Sequence, residues 1–442
     1  MAADETFDLG ITDVAHGGVF IGRHEGRVVF VPDAIPGERV RVRRADSGDA
    51  RTDAKRFWRA ELREVLDPSP HRRPHVWRQA DVDVPPHLRP GGADFGHIEL
   101  AHQRTLKLQV LTDALRRIGG LPDAAAAISA ASPARSADGD VLDAETADGT
   151  AWRTRVSLHA DAEGRVGPYA ARSHRVIAVD ELPLATPGVE KAALAIGRGA
   201  PGRIDLVQPA DGRVRVLHRP AGRGGPRATR EAVVERVGGR EFRVDAGGFW
   251  QVHRLAAHSL TELVTRRLGG APAGGTASDS EGHAVDPDAW HLDLYGGVGL
   301  FAAALAGLGG PGTRITTVEA DARASEHARA NLAEWPGARA ETARVDRWLT
   351  HLAQHATAAQ RERLKRGVIL LDPPRSGAGR AVVRHIAALA AHTVVYVACD
   401  PAALARDLAT FRDLGYEAGP IEAIDLFPNS HHVEAVAVLR RG

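Results

Sequence analysis

HLDLYGGVGLFAAALA, residues 291–306, is the stretch from which the architecture can be read. A short apolar run passes into a glycine-rich turn and then into an apolar segment of helical length, so a strand hands directly over to a helix. Gly297-x-Gly299-x-x-Ala302 has the spacing used where backbone must approach a bound nucleotide closely. Glu319, in TTVEAD, ends the next strand candidate 24 residues after Tyr295. An acid there can accept hydrogen bonds from ribose hydroxyls. A dinucleotide dehydrogenase would show the same turn, so this stretch alone leaves the chemistry open.

Strand candidates at 290–294, 313–318, 341–345, 367–371 and 393–398 alternate with helices, the pattern of a doubly wound parallel sheet. LLDPPRSGAG (370–379) then narrows the choice. An acid, Asp372, followed by two prolines gives a rigid, extended loop at the carboxyl edge of the sheet, beside the glycine turn. Dehydrogenases have no usual need for such a loop. The chain closes with YEAGPIEAIDLFPNSHHVEAVAVLRR (416–441), two further strands around a polar turn. A five-stranded parallel sheet with an added hairpin is the outline of the class I methyltransferase fold, a Rossmann-like sheet of seven strands. In that outline the last strand runs antiparallel beside the fifth, so Glu434 should lie at the same edge as Cys399.

Cys399 is the one cysteine of the chain and sits in VVYVACDPAALARDL (394–408), between a β-branched strand and an amphipathic helix. Unpaired N–H groups at a helix start favour a thiolate, the reactive form of cysteine. A small buried hydrophobe is the alternative reading at this point. For Glu434 the alternative is a solvated residue at a strand start.

Length and composition bound the rest. At 442 residues and 43% hydrophobic content, two or three globular domains are expected. One cysteine excludes internal disulfides and any four-cysteine metal or iron–sulfur site. No apolar run approaches a membrane span, and the acidic start MAADETFDLG lacks a signal-peptide core, so a cytoplasmic protein is expected. The net charge of +1 hides basic clusters at 39–59 and 213–230, the second without an acid. Such clusters suit contact with phosphates, or form a solvated basic face. Five histidines between His71 and His102 match no usual ligand spacing, and no metal is expected.

The first 66 residues alternate apolar and polar between turn signals, as in a small β-barrel. A Pro-, His- and Gly-rich stretch (67–100) and a helix at about 101–118 follow, then an Ala- and Asp-rich segment at 120–150 read as a surface loop with one short strand. From Trp152 the pattern is that of an antiparallel sheet with a crossing helix at 187–198, an α+β insert. The boundaries are set at 1–67 for the barrel, 68–246 for the central region and 247–442 for the catalytic domain. Within the last, 270–288 reads as a flexible loop.

HGGVFIGRHEGRVVFVPDAIPGERVRV, with Gly17, Gly18, Gly26 and Pro36-Gly37 at its corners, resembles the TRAM domain, an OB-like barrel found on RNA-modifying enzymes. Behind it, DLYGGVGLFA, LLDPPRSGAG, YVACDPAALARDL and FPNSHHVEAVAVL stand in the order of the RNA uridine-5 methyltransferase family, and the resemblance covers essentially the whole chain. It implies 5-methyluridine formation in transfer or ribosomal RNA with S-adenosylmethionine as cofactor. It further implies Cys399 as nucleophile, Glu434 as base, and Gln251, Tyr295, Gly297, Gly299, Glu319 and Asp372 on the cofactor side. A monomer is expected.

Three features depart from the family pattern. Its usual S-C-N-P is A-C-D-P here, which puts the hydrogen bonding around Cys399 in question. His253 stands where asparagine is common in FWQVH, and the cysteines that hold an iron–sulfur cluster in many ribosomal members are absent, so that region is expected to be held by packing alone. Two other classes stay open: a methyltransferase of exocyclic amines that uses the DPPR loop without Cys399, and a non-catalytic RNA-binding protein.

Overall fold

The structure is a computed structural model that describes residues 6–45, 57–136, 139–171, 173–221, 230–269 and 285–442. Its largest layer is a sheet with the strand order 338–342, 314–319, 290–294, 368–371, 393–398, 434–441, 421–425, 126–130, and a short strand, 416–418, also pairs with 434–441. The first five are parallel, and 434–441 runs antiparallel to both of its long neighbours. Val368–Leu371 and Thr393–Ala398 are buried at every position, which explains why they read as unbroken apolar runs rather than alternating ones. Helices cover both faces over two apolar cores. The expected class I sheet is therefore present, extended by two strands at its far side.

Two expectations shift. The strand expected at 341–345 lies at Ala338–Thr342, and Val345 instead opens a helix to His355. ARAET is half exposed at the sheet edge, so it carries no apolar run by which to place it. Leu100–Arg117 and Ala126–Ala130, which fall within the range set for the central region, pack with the C-terminal sheet. The helix lays Leu111, Ala114 and Leu115 into the same core as Leu404 and Leu408, and the strand pairs in parallel with Ile421–Asp425. The flexible loop expected at 270–288 lies outside the described residues up to 284.

The N-terminal strands close a five-stranded barrel in the order Thr6–Ala15, Val19–His24, Arg27–Val31, Phe57–Asp67, Arg39–Arg44. In RVRVRR, Val40 and Val42 point inward, while Arg39 and Arg41 face out and bond Asp8 and Glu64. The described part of the first basic cluster thus carries its own counter-charges. Residues 46–56 of that cluster, and 222–229 of the second, lie outside the described residues.

The segment 68–99 has only short helical turns, yet it is anchored by polar groups as well as by packing. Buried Glu38 accepts hydrogen bonds from the Ile35 and Ser69 amides and pairs with Arg72 at 2.6 Å. Phe95 and Ile98 complete the barrel core, and the histidine rings of His75 and His97 bond the carbonyls of Ala93 and Ala34. The central insert is a four-stranded antiparallel sheet, 166–167, 155–160, 202–207, 215–220, with the helix Pro187–Leu194. No described helix is long and apolar enough to cross a membrane.

Lys107 ties these parts together. Its ammonium is fully buried, 2.5 Å from Asp425 Oδ1, and also donates to the Phe427 carbonyl at 3.0 Å. Removing one partner of a buried pair leaves an uncompensated charge and costs about 3–5 kcal/mol. Lys107→Met should therefore lower the unfolding free energy by about 3 kcal/mol in urea titrations, and a change of a few tenths would show that the pair does not fix the Asp425 turn.

Candidate active site

The order of the sheet reverses at 290–294 and 368–371, so their carboxyl ends open a crevice in which such folds bind ligands. Tyr295 leaves the first strand with a positive φ of 63°, and Gly299 adopts φ 87° as the residue before the helix Leu300–Gly309. A methyl group at Gly296 would collide with Thr317 and Asp293, so only glycine lets the turn pass this close. Glu319 holds the turn from the next strand, accepting hydrogen bonds from the Gly297 amide at 3.0 Å and the Asp321 amide at 2.8 Å.

Asp293 lies beneath the glycine turn on the first strand, and Asp372 follows the neighbouring strand. The Asp372 amide donates to the Leu294 carbonyl at 3.2 Å, binding the start of the DPPR loop to the glycine turn. Asp293 is buried, and its Oδ1 has no hydrogen-bond partner among the described residues. Burial pushes Asp293 up to about 7, and burial with the Asp293 charge does the same to Asp372. An orphaned carboxylate oxygen, a cradle that a side chain would fill and a carboxylate on the neighbouring strand suit a cationic ligand bearing a ribose. Gln251 is half-buried beside Trp250, which packs in the same core as Val298 and Phe301 of the glycine turn.

Cys399 and Glu434 meet through strand register. Pairing runs from Thr393↔Arg440 to Ala398↔Ala435, so the next rung sets Glu434 opposite Cys399. Glu434 is only 6% exposed. Burial and the Asp372 charge hold its carboxyl well above the ordinary range, while Arg375 opposes them. The expectation of a thiolate stabilised by the helix start is not met. Burial first, then Glu434 and Asp372, push the Cys399 thiol up to about 12, against the pull of Arg375. Burial is the largest of these influences, and the two carboxyls add to it.

The altered A-C-D-P sequence keeps its local bonding. Asp400 caps the helix Pro401–Asp413 by accepting from the Ala403 amide at 2.8 Å. Its other oxygen lies 2.9 Å from His16 Nε2, a contact with the barrel. His253 stacks on Trp152 at 5.4 Å and its Nδ1 accepts from the Leu255 amide at 3.0 Å, while its buried Nε2 has no hydrogen-bond partner among the described residues.

Cys399 opens into a cavity of about 140 Å³ whose walls include His16, Lys107, Arg375, His431 and His432. A groove of about 1910 Å³ between the barrel, the 68–99 segment and the central insert shares His16, Gly17 and His431 with it. The groove carries His159 stacked on Tyr169 at 3.7 Å. Sequence reasoning missed these histidines, Arg375 and Lys107. HH directly before VE and the arginine of DPPR were the available signals, but nothing local ties His16 to Asp400.

Residues 286–442 match the family model described as tRNA (Uracil-5-)-methyltransferase, and residues 5–44 match the TRAM domain. An uncharacterized RNA methyltransferase of Streptomyces avermitilis is 37% identical over 98% of this chain and 98% of its own length. A Bifidobacterium longum protein of the same description is 35% identical over 98% and 96%. The crystal structure of Pyrococcus abyssi tRNA (uracil-54, C5)-methyltransferase in complex with S-adenosyl-L-homocysteine superposes with a TM-score of 0.65 at 18% identity, covering 98% and 99%. At that identity the superposition speaks for a shared fold.

The carboxyl cluster makes stability depend on pH. Asp293 and Asp372 hold protons more tightly folded than unfolded, so their contribution is complete below the ordinary value of 3.8 and is lost as pH rises through about 7. Asp293→Asn should therefore be more stable than wild type at about pH 8, the gain shrinking toward about pH 4. Melting curves across that range that run parallel for the two proteins would contradict it.

Proposed function

The chain belongs to the tRNA (uracil-5-)-methyltransferase family of S-adenosylmethionine-dependent RNA methyltransferases, and from that premise we propose that it methylates C5 of a uridine in structured RNA through a covalent bond to Cys399. The observation that carries this reading is the register that sets Glu434 opposite Cys399 at the edge where Asp372 leaves the sheet. A nucleophile and a carboxyl group then serve one pocket.

Gln251, Tyr295, Gly297, Gly299, Glu319 and Asp372 would hold the cofactor in the crevice. When bound, S-adenosylmethionine supplies the methyl group as part of a sulfonium cation, whose charge also relieves the crowding of carboxylates.

Uracil C5 is too weak a nucleophile to be methylated unaided. The Cys399 thiolate adds to C6, the C5–C6 double bond opens and C5 acquires enolate character. After methylation, Glu434 in its ionised form removes the C5 proton, the double bond re-forms and the C6–S bond breaks, releasing 5-methyluridine and the thiolate. Cys399 must reach the base from inside a small cavity, so the uridine has to leave its stack. The groove beside the cavity offers the flanking nucleotides a course between barrel and insert. Either a transfer or a ribosomal RNA loop fits this arrangement.

RNA containing 5-fluorouridine tests the proposal, because fluorine cannot leave as a proton. With S-adenosylmethionine, wild type should give a covalent protein–RNA band on denaturing electrophoresis, and Cys399→Ala none. Glu434→Gln should accumulate the same adduct on ordinary uridine RNA, with turnover down about a hundredfold or more. Methyl transfer that survives Cys399→Ala would instead point to an exocyclic amine as the acceptor.

A further inference from the structure

The thiol of Cys399 holds its proton tightly at rest, so the reaction proposed above needs an acceptor for that proton inside the cavity. Three imidazoles border the cavity: His16, His431 and His432. They are not equivalent. Burial, then His431 and Arg375, push His432 down to about 3, which makes it a poor acceptor. His16 is bonded through Nε2 to Asp400, and half of its side chain is open to solvent where the cavity meets the groove.

His431 is held differently. Its Nδ1 lies 2.5 Å from Asp94 Oδ2, and its own backbone amide donates to the same oxygen at 3.2 Å. Burial is the largest influence on the Asp94 carboxyl and would lift it, but the bond to His431, the charges of His431 and His432 and a backbone hydrogen bond together hold it below the ordinary value. The barrel closes over this pair so tightly that a methyl group at Gly18 would strike both Asp94 and the His431 ring. An aspartate on Nδ1 fixes the ring and its tautomer and leaves Nε2 as the accepting nitrogen, the logic of a nucleophile–histidine–aspartate triad.

We propose that His431, oriented by Asp94, is the general base that takes the Cys399 thiol proton, directly or through one water in the cavity. This rests on the reading of Cys399 as nucleophile. The S–H bond breaks, its proton passes to His431 Nε2, and the sulfur electron pair forms the bond to C6. When the C6–S bond breaks at the end of the cycle, the imidazolium returns the proton to sulfur. Glu434 is left for the C5 proton, so each of the two protons in the cycle has its own acceptor.

The assignment also gives a use to the long-range bond between Asp94, in the segment after the barrel, and the turn before Glu434. The other charged or titratable groups facing the cavity are His16, Asp400, Lys107, Arg375 and His432, with Glu434 and Asp372 beyond Cys399. Of these only His16 is likewise bonded to a carboxylate, that of Asp400, and its side chain is half exposed, whereas His431 is covered by Asp94 and the barrel at Gly18.

Two measurements on the full chain test this. Because Cys399 is the single cysteine, its alkylation by iodoacetamide reports the thiolate directly. His431→Gln and Asp94→Asn should each slow alkylation at about pH 7 by about tenfold or more, the loss vanishing at high pH where hydroxide serves as base. In the second measurement, His431→Ala should form the 5-fluorouridine adduct about a hundredfold more slowly at unchanged RNA affinity, and added imidazole should restore the rate.

Alkylation within twofold of wild type in both variants would overturn the proposal. So would an adduct defect that follows weakened RNA binding and resists imidazole, since that marks a purely structural role. Wild type that forms no adduct, yet loses alkylation in the variants, would refute the uridine reading while leaving the proton relay standing.

Discussion

The antiparallel pairing of Glu434–Arg441 against Thr393–Ala398 is the constraint on which the site depends. Val394, Tyr396 and Ala398 pack into one apolar core and Val395 and Val397 into the other, so a slip of one position would exchange side chains fitted to two different cores. Hydrophobic burial over many residues thereby fixes a single rung, the one that sets Glu434 across from Cys399. The chemistry needs accuracy at two side chains, and the sheet supplies it from residues that take no part in the reaction.

That arrangement carries a cost that the rest of the structure manages. Asp293, Asp372 and Glu434 converge on one edge with a half-buried thiol, and at rest the cluster holds its protons more tightly than ordinary groups of its kind. Arg375 is the cation that works against this, and its position in the DPPR loop makes that rigid loop part of the electrostatics as well as of the crevice wall. The turn before Glu434 is pinned from a distance, by Lys107 to Asp425 and by Asp94 to His431. The barrel also reaches this turn, through Gly18 against His431, and reaches the helix start after Cys399 through His16 on Asp400. A domain that looks like a separate RNA-binding module in sequence therefore forms part of the wall around the nucleophile.

Much of this was legible in the chain. The parallel strands announced themselves because burial on both faces makes them continuous apolar runs, and Cys399, Asp372 and Glu434 stood at strand ends where a doubly wound sheet gathers its functional groups. The edge strand Ala338–Thr342 was displaced because half-exposed ARAET has no such signature. Leu100–Arg117 and Ala126–Ala130 pack with a sheet that comes much later in the chain, and neither a helix's apolar face nor a short strand names its partner. The thiol's proton affinity went the opposite way from expectation, since the helix start is local in sequence while its burial and the opposing carboxyls depend on other strands. His16, Asp94 and His431 were invisible for the same reason: their pairings span hundreds of residues, and only the closed barrel brings them together.

Uridine RNA labelled with tritium at C5 gives the most direct test of the central claim, since the proposed path must expel that hydrogen once for each methyl group transferred. Incubation with S-adenosylmethionine should release tritium to water in step with methyl incorporation, and nucleoside analysis should return 5-methyluridine. Methyl incorporation with the tritium retained would contradict the account, because it would place the methyl group on an atom that neither Cys399 nor Glu434 is arranged to activate.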